Sequence, residues 1–248
     1  MTEQSAHQLL NQMTRSLRSW VQWDAEDGVP GYPLSAAVPA TQKPATSTTA
    51  PVVAPSVEPE RLSLEALQAE LGQCTRCTLS ASGRTQIVYG EGNPNADLVF
   101  VGEAPSEQED QQGQPFVGEA GKLLDKMLAA MGLTRSQVYV CNVVKCHPPQ
   151  GREPEAQEVS TCQPFLRAQI RSIQPKVVVT MGQLASQVLL NSTDSITTLR
   201  GRFHDYSGIQ LMPTFHPATL ILKPAEKRTV WGDLQQVMNE LGLKSAKD

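Results

Sequence analysis

Two sets of chemistry-bearing side chains stand out along this 248-residue chain: the thiols of Cys74, Cys77, Cys146 and Cys162, and a mixed group of Glu103, Glu109, Asn142 and His216. Cys74 and Cys77 form a C-x-x-C pair, and each later thiol lies beside other polar residues. Thiolates are soft ligands, and an N-terminus reading MTEQSAHQLL has no basic and apolar leader that would send the chain to an oxidising compartment. The four thiols therefore read as ligands of a metal centre rather than as disulfides, and the donor set suits either an iron–sulfur cluster or zinc. Such a centre would clamp three distant segments together. Cys141 sits in an apolar run and reads as a buried bystander.

The second set needs a scaffold that gathers it. Apolar runs at 97–102, 138–144, 177–180 and 209–214 predict strands. Patterns with three- and four-residue spacing predict helices at 118–131, 154–173, 183–190 and 225–241, and LSLEALQAEL predicts another that ends before Cys74. Alternating elements with continuously apolar strands predict an α/β fold, a three-layer α/β/α sandwich around a mostly parallel four-stranded sheet. In such sheets, sites gather beyond the C-terminal strand ends. The segment G-E-A-P-S-E-Q-E-D, then Asn142, then F-H-P all fall there. Carboxylates, an amide and an imidazole brought together would perform acid/base chemistry or stabilise developing charge.

A chain that is 40% hydrophobic and 19% charged is ordinary for a globular protein, and no run is long and apolar enough to span a bilayer. The reading is a cytoplasmic monomer. Residues 1–28 carry an apolar stripe through Leu9, Leu10, Met13, Leu17, Trp20 and Val21, which predicts an amphipathic helix able to dock on a partner. Residues 29–60 are rich in Pro, Ala and Thr and read as a disordered linker, leaving 61–248 as the folded domain. The net charge of −4 shows no basic excess, but Arg200, Arg202, Lys223, Lys227 and Arg228 outnumber the acids near two late loops and could form a local basic face.

From about Leu64 to Leu241 the chain resembles the family 4 uracil-DNA glycosylases, which carry a [4Fe-4S] cluster. The resemblance rests on C-T-R-C, G-E-A-P-S-E-Q-E-D, G-Q-P-F-V-G-E-A-G-K-L-L, N-V-V-K-C-H-P-P, C-Q-P-F-L and H-P-A-T-L, in that order. It implies a uracil-DNA glycosylase-like fold and cluster ligation by Cys74, Cys77, Cys146 and Cys162. It also implies a monofunctional glycosylase that hydrolyses the N-glycosidic bond of uracil in DNA and leaves an abasic site for base-excision repair. Phe116 would stack on the flipped uracil, Asn142 would read its polar edge, and Gly102, Ala104 and Pro105 would line the pocket. His216 would favour the uracil anion near O2. Glu103 and Glu109 would stabilise the sugar cation, position water or order the site. A replication or repair protein is the partner expected for the N-terminal helix.

Two departures from the family pattern bear on this reading. Ser106 stands where a Gly commonly follows G-E-A-P, so it would narrow the pocket, and it would strain the backbone if that position needs positive φ. The loop after His-Pro also varies, with Lys223 in place of an Arg-like phosphate contact. Two alternatives follow: a non-catalytic damage-binding relative, which would bind uracil DNA without releasing base, and an iron–sulfur redox or regulatory module, indifferent to changes at Asn142 or His216.

Overall fold

The structure is a computed structural model that describes residues 62–244. The predicted N-terminal helix and linker at 1–60 lie outside the described residues.

Four strands form the centre of the sheet: β2 (Leu98–Gly102), β3 (Tyr139–Asn142), β4 (Val177–Met181) and β6 (Ile209–Thr214). They are mutually parallel, in the order β3-β2-β4-β6. β2, β3 and β4 are buried along their whole length, which explains their continuously apolar sequences. The register sets Gly102 beside Asn142 and Met181 beside Thr214. The three expected strand ends therefore open on one edge of the sheet.

Two short antiparallel strands complete a six-stranded sheet, β1 (Glu91–Gly92) next to β3 and β5 (His204–Tyr206) next to β6. The sequence pattern did not reveal them, because two or three residues are too few to display a period. β5 and β6 are joined through Ser207 and Gly208, both at positive φ (50° and 82°), as a two-residue hairpin requires.

Alternation along β2 divides the core. Val99 and Val101 pack with α1 (Leu64–Leu71), α4 (Ala156–Ile173) and α5 (Gln183–Leu190). Leu98 and Phe100 pack with α3 (Gly118–Ala130) and α8 (Lys227–Glu240). Three layers result, as expected. Helices α2 (Glu107–Gln112), α6 (Ile196–Leu199) and α7 (Pro217–Leu222) were not expected; α2 and α7 follow closely on the ends of β2 and β6. No helix among the described residues is long and apolar enough to cross a membrane.

Candidate active site

At the C-terminal edge, Gly102 is the floor on which two side chains meet, with a third, the His216 ring, beside them. A Cβ built there would collide with Asn142 Oδ1 and stand 2.5 Å from Phe116 Cζ, so only glycine lets the amide and the ring approach the strand end together. The Phe116 and His216 rings lie 5.4 Å apart between centroids, tilted by 33°. Ring, amide and imidazole thus converge from segments far apart in sequence.

Asn142 is 1% exposed, and neither its Nδ2 nor its Oδ1 has a hydrogen-bond partner. A buried polar group left in this state costs about 1–3 kcal/mol. Amides are rarely left in this state unless they have a ligand to recognise.

His216 caps α7, its Nδ1 accepting the Ala218 N–H at 3.1 Å. Burial lowers its pKa to about 4. The ring is therefore neutral at physiological pH, and with Nδ1 accepting, its proton sits on Nε2 as a donor. The strand leading to it is braced from behind. Thr214 donates to Asp233 Oδ2 at 2.6 Å, Arg200 forks onto both oxygens of the same buried carboxylate, and the Arg200 guanidinium stands 5.4 Å from the Phe215 ring centroid. Arg200 is thus committed to an ion pair, and the expected basic face reduces to Arg202, Lys223, Lys227 and Arg228, all exposed. Beside them, Ile221 and Leu222 are the exposed apolar end of α7, with Leu222 82% exposed. Sequence reading passed over these two residues because I-L resembles ordinary core.

The two carboxylates serve as braces. Burial raises the pKa of both. Glu103 Oε1 accepts the Leu184 N–H at 2.9 Å, at the first turn of α5, and a side chain on Gly182 would collide with it. Glu109 accepts the Ser106 N–H at 3.0 Å and a further hydrogen bond from the Phe116 backbone. Ala104 packs against the core on the α1 and α4 side. The buried Pro105 offers its carbonyl to His147 Nδ1 at 2.8 Å, so Gly102, Ala104 and Pro105 form one fixed wall. His147 went unremarked in the sequence, where it reads only as the neighbour of Cys146.

Ser106 departs from expectation. Its φ of −76° is ordinary extended backbone, and its hydroxyl caps α2 by accepting from the Glu109 N–H at 3.4 Å, with Glu109 returning the bond as a capping box. Strain at this position, one of the two grounds for doubting turnover, is absent. The strain lies instead at Phe116, whose φ of 53° is left-handed and costs about 1–3 kcal/mol for a bulky residue.

The expected metal ligands share a second site. Cys74, Cys77, Cys146 and Cys162 line one cavity together with Lys145 and Phe165. Arg84 Nη1 donates to Cys146 Sγ at 3.0 Å while its Nη2 bonds the Cys74 carbonyl at 2.6 Å; Arg76 approaches Cys74 Sγ at 3.6 Å. Burial raises the thiols of Cys146 and Cys162, the latter to about 11. Among the described residues no three Cys, His, Asp or Glu side chains gather tightly enough for a single ion. Four soft donors around one cavity, with guanidinium groups facing two of them, fit a multi-atom thiolate-bound group. Cys141 is buried in β3, outside that lining. Lys145 Nζ donates to the Asn142 carbonyl at 2.6 Å, tying the cavity wall to the base of the active site.

The sequence profile of the Uracil DNA glycosylase superfamily matches residues 89–235, and the chain belongs to that superfamily. Its relatives include several type-4 uracil-DNA glycosylases. That of Sulfurisphaera tokodaii is 41% identical over 184 residues, covering 71% of this chain and 83% of its own. That of Thermotoga maritima is 42% identical over 177 residues, covering 70% and 92%, and that of Archaeoglobus fulgidus 37% identical over 190 residues, covering 73% and 95%. Among solved structures, Pedobacter heparinus SMUG2 aligns over 60% of this chain and 75% of its own, at a TM-score of 0.41 and 11% identity.

Proposed function

We propose that this chain is a monofunctional uracil-DNA glycosylase, hydrolysing the N-glycosidic bond of uracil in DNA to start base-excision repair. The observation that carries the reading is the unpartnered amide of Asn142, sealed between Gly102 and the Phe116 ring. An amide presents one acceptor and one donor side, the complement of uracil N3–H and O4; cytosine reverses both.

The base must leave the stack before its N1–C1′ bond can be reached. Phe116 stacks on the flipped ring and Asn142 reads its edge. As the bond breaks, the electron pair moves to uracil N1 and the sugar gains oxocarbenium character. His216, neutral, donates its Nε2–H toward O2 and stabilises the departing anion. Water adds at C1′ and loses a proton while the uracil anion takes one up, leaving the abasic site and neutral uracil. Glu103 and Glu109 act by ordering the site: one ties the end of β2 to α5, the other holds the loop that carries Phe116. Among the described residues no amine is placed for lyase chemistry, since the buried Lys145 Nζ is bonded to a backbone carbonyl.

Cys74, Cys77, Cys146 and Cys162 hold a [4Fe-4S] cluster, whose contribution is to cross-link the segments that carry them. Phosphate contacts come from Lys223, Lys227 and Arg228, with Ile221 and Leu222 facing the same strand of DNA. The protein works as a cytoplasmic monomer, and residues 1–28 recruit a replication or repair partner.

The test is end-labelled DNA bearing one uracil, incubated with anaerobically purified protein and then cleaved at abasic sites. Uracil-dependent cleavage that falls in Asn142→Ala and His216→Ala supports the assignment. DNA binding without product, with iron retained, would replace it by the damage-binding alternative.

A further inference from the structure

Phe116 combines a left-handed backbone with a role that depends on where its ring lies, so something must hold it. Its carbonyl, and that of Pro115 before it, point at one guanidinium. Arg135 Nη1 donates to Pro115 O at 3.0 Å, Nη2 donates to Phe116 O, and Nε donates to Asp125 Oδ1 at 2.6 Å. All three nitrogens of the fork are engaged, so the planar group fixes the plane of the peptide it grips. Gly121 in α3 completes the seat, because a Cβ there would strike the Phe116 carbonyl. On the other side, Glu109 takes the backbone hydrogen bond from Phe116.

We infer that Arg135 is a positioning residue for the base-stacking ring: it clamps two successive carbonyls and so aims Phe116 across Gly102 at the base. The inference rests on the reading of Phe116 as the stacking face. Arg135 itself touches no reacting atom. A lysine has no planar fork and grips at most one of the two carbonyls well.

The experiment labels the phenylalanine rings with ¹³C. The chain has five, and loss of one signal in Phe116→Leu assigns Phe116. In wild type, free uracil is expected to shift that signal. In Arg135→Ala and Arg135→Lys the signal should move before uracil is added, uracil should bind about tenfold more weakly, and kcat/KM on uracil DNA should fall about 10- to 100-fold, the cost of roughly an ångström of misplacement. Gly121→Ala, which leaves the Arg135 charge intact, should produce the same pattern. A Phe116 signal unmoved in both Arg135 variants overturns the inference. So does an activity loss that tracks only a lost folded fraction, seen as a matching fall in melting temperature. If uracil leaves the wild-type signal unmoved while Arg135→Ala still displaces it, the clamp stands and the stacking reading fails.

Discussion

Replacing Asn142 by alanine separates function from stability more sharply than any other change in this fold. In the free protein both polar atoms of the amide are buried without partners, a cost of about 1–3 kcal/mol for the amide taken as one group. Against their removal stands the loss of a small side chain's packing, about 1 kcal/mol by analogy with other buried truncations. The net effect on folding lies between zero and about 2 kcal/mol of added stability, given that the cavity relaxes. For a domain of this size that is a rise in melting temperature of no more than about 8 °C. Catalysis should move the opposite way. Losing an aligned donor in a water-excluded site typically lowers kcat by about 10²–10³, or roughly 3–4 kcal/mol.

Thermal melts and single-turnover uracil release on the same preparations measure both effects. Gln169 is the matched control. It too is a fully buried amide, and its Oε1 also lacks a partner, but unlike Asn142 its Nε2 is engaged, donating to the Tyr89 carbonyl at 3.0 Å and to the Tyr139 hydroxyl at 3.2 Å. Gln169→Ala should therefore lower the melting temperature while most activity persists in the folded fraction. A fall of more than about 5 °C in Asn142→Ala, or activity within tenfold of wild type, would refute the assignment of that amide to the substrate.

Other expectations follow from the same contacts. Burial holds His216 near pKa 4, so between the unfolded value of about 6.5 and that point the unfolded chain binds the proton first; stability present above pH 6.5 is lost as pH falls to 4, by about 3 kcal/mol, and urea midpoints of wild type against His216→Gln should diverge only toward the acid end, with wild type the less stable. The neutral ring also predicts no step in kcat/KM near pH 6.5. Arg200→Ala strands the buried Asp233 and should cost about 3–5 kcal/mol in denaturant unfolding, with part regained when Asp233→Ala is added. Cys77→Ala should lower bound iron and raise hydrogen exchange around residues 74–87 and 145–147 before it does so in β2.

The strands were legible because buried parallel strands are continuously apolar, and α5 was legible to the residue because Gly182 and Asn191, both at positive φ, mark its ends. Helix α2 was not, since EQEDQQ has no apolar stripe and is held by its capping box instead of a packed face. Of the expected site residues, Gly102, Phe116, Asn142 and His216 lie together at the sheet edge and the four thiols line one cavity. What a linear pattern could not supply was the direction of the charged side chains. Glu103 reaches the N-terminus of a helix 81 residues away, and Arg200 turns inward to Asp233 although its neighbours suggest a solvated loop. Arg135 carried no signal, because a guanidinium gripping backbone carbonyls leaves no trace in the residues that it grips.

These directions share a logic. Glu103, Glu109, Lys145, Arg135, Arg200 and Asp233 surround the sheet edge, and each contacts backbone or another charged group. The groups that face the Gly102 floor, the Asn142 amide and the neutral His216 ring, carry dipoles and no net charge. A formal cation at either position would attract phosphate or any carboxylate, and it would have to be desolvated before a flipped base entered. A fixed dipole is aligned before the anion forms and gains its full strength only as charge develops on the departing base. The ionisable residues therefore set geometry while the neutral ones discriminate, which explains why so many of them can line the site without its being poised to bind an ion in place of its substrate.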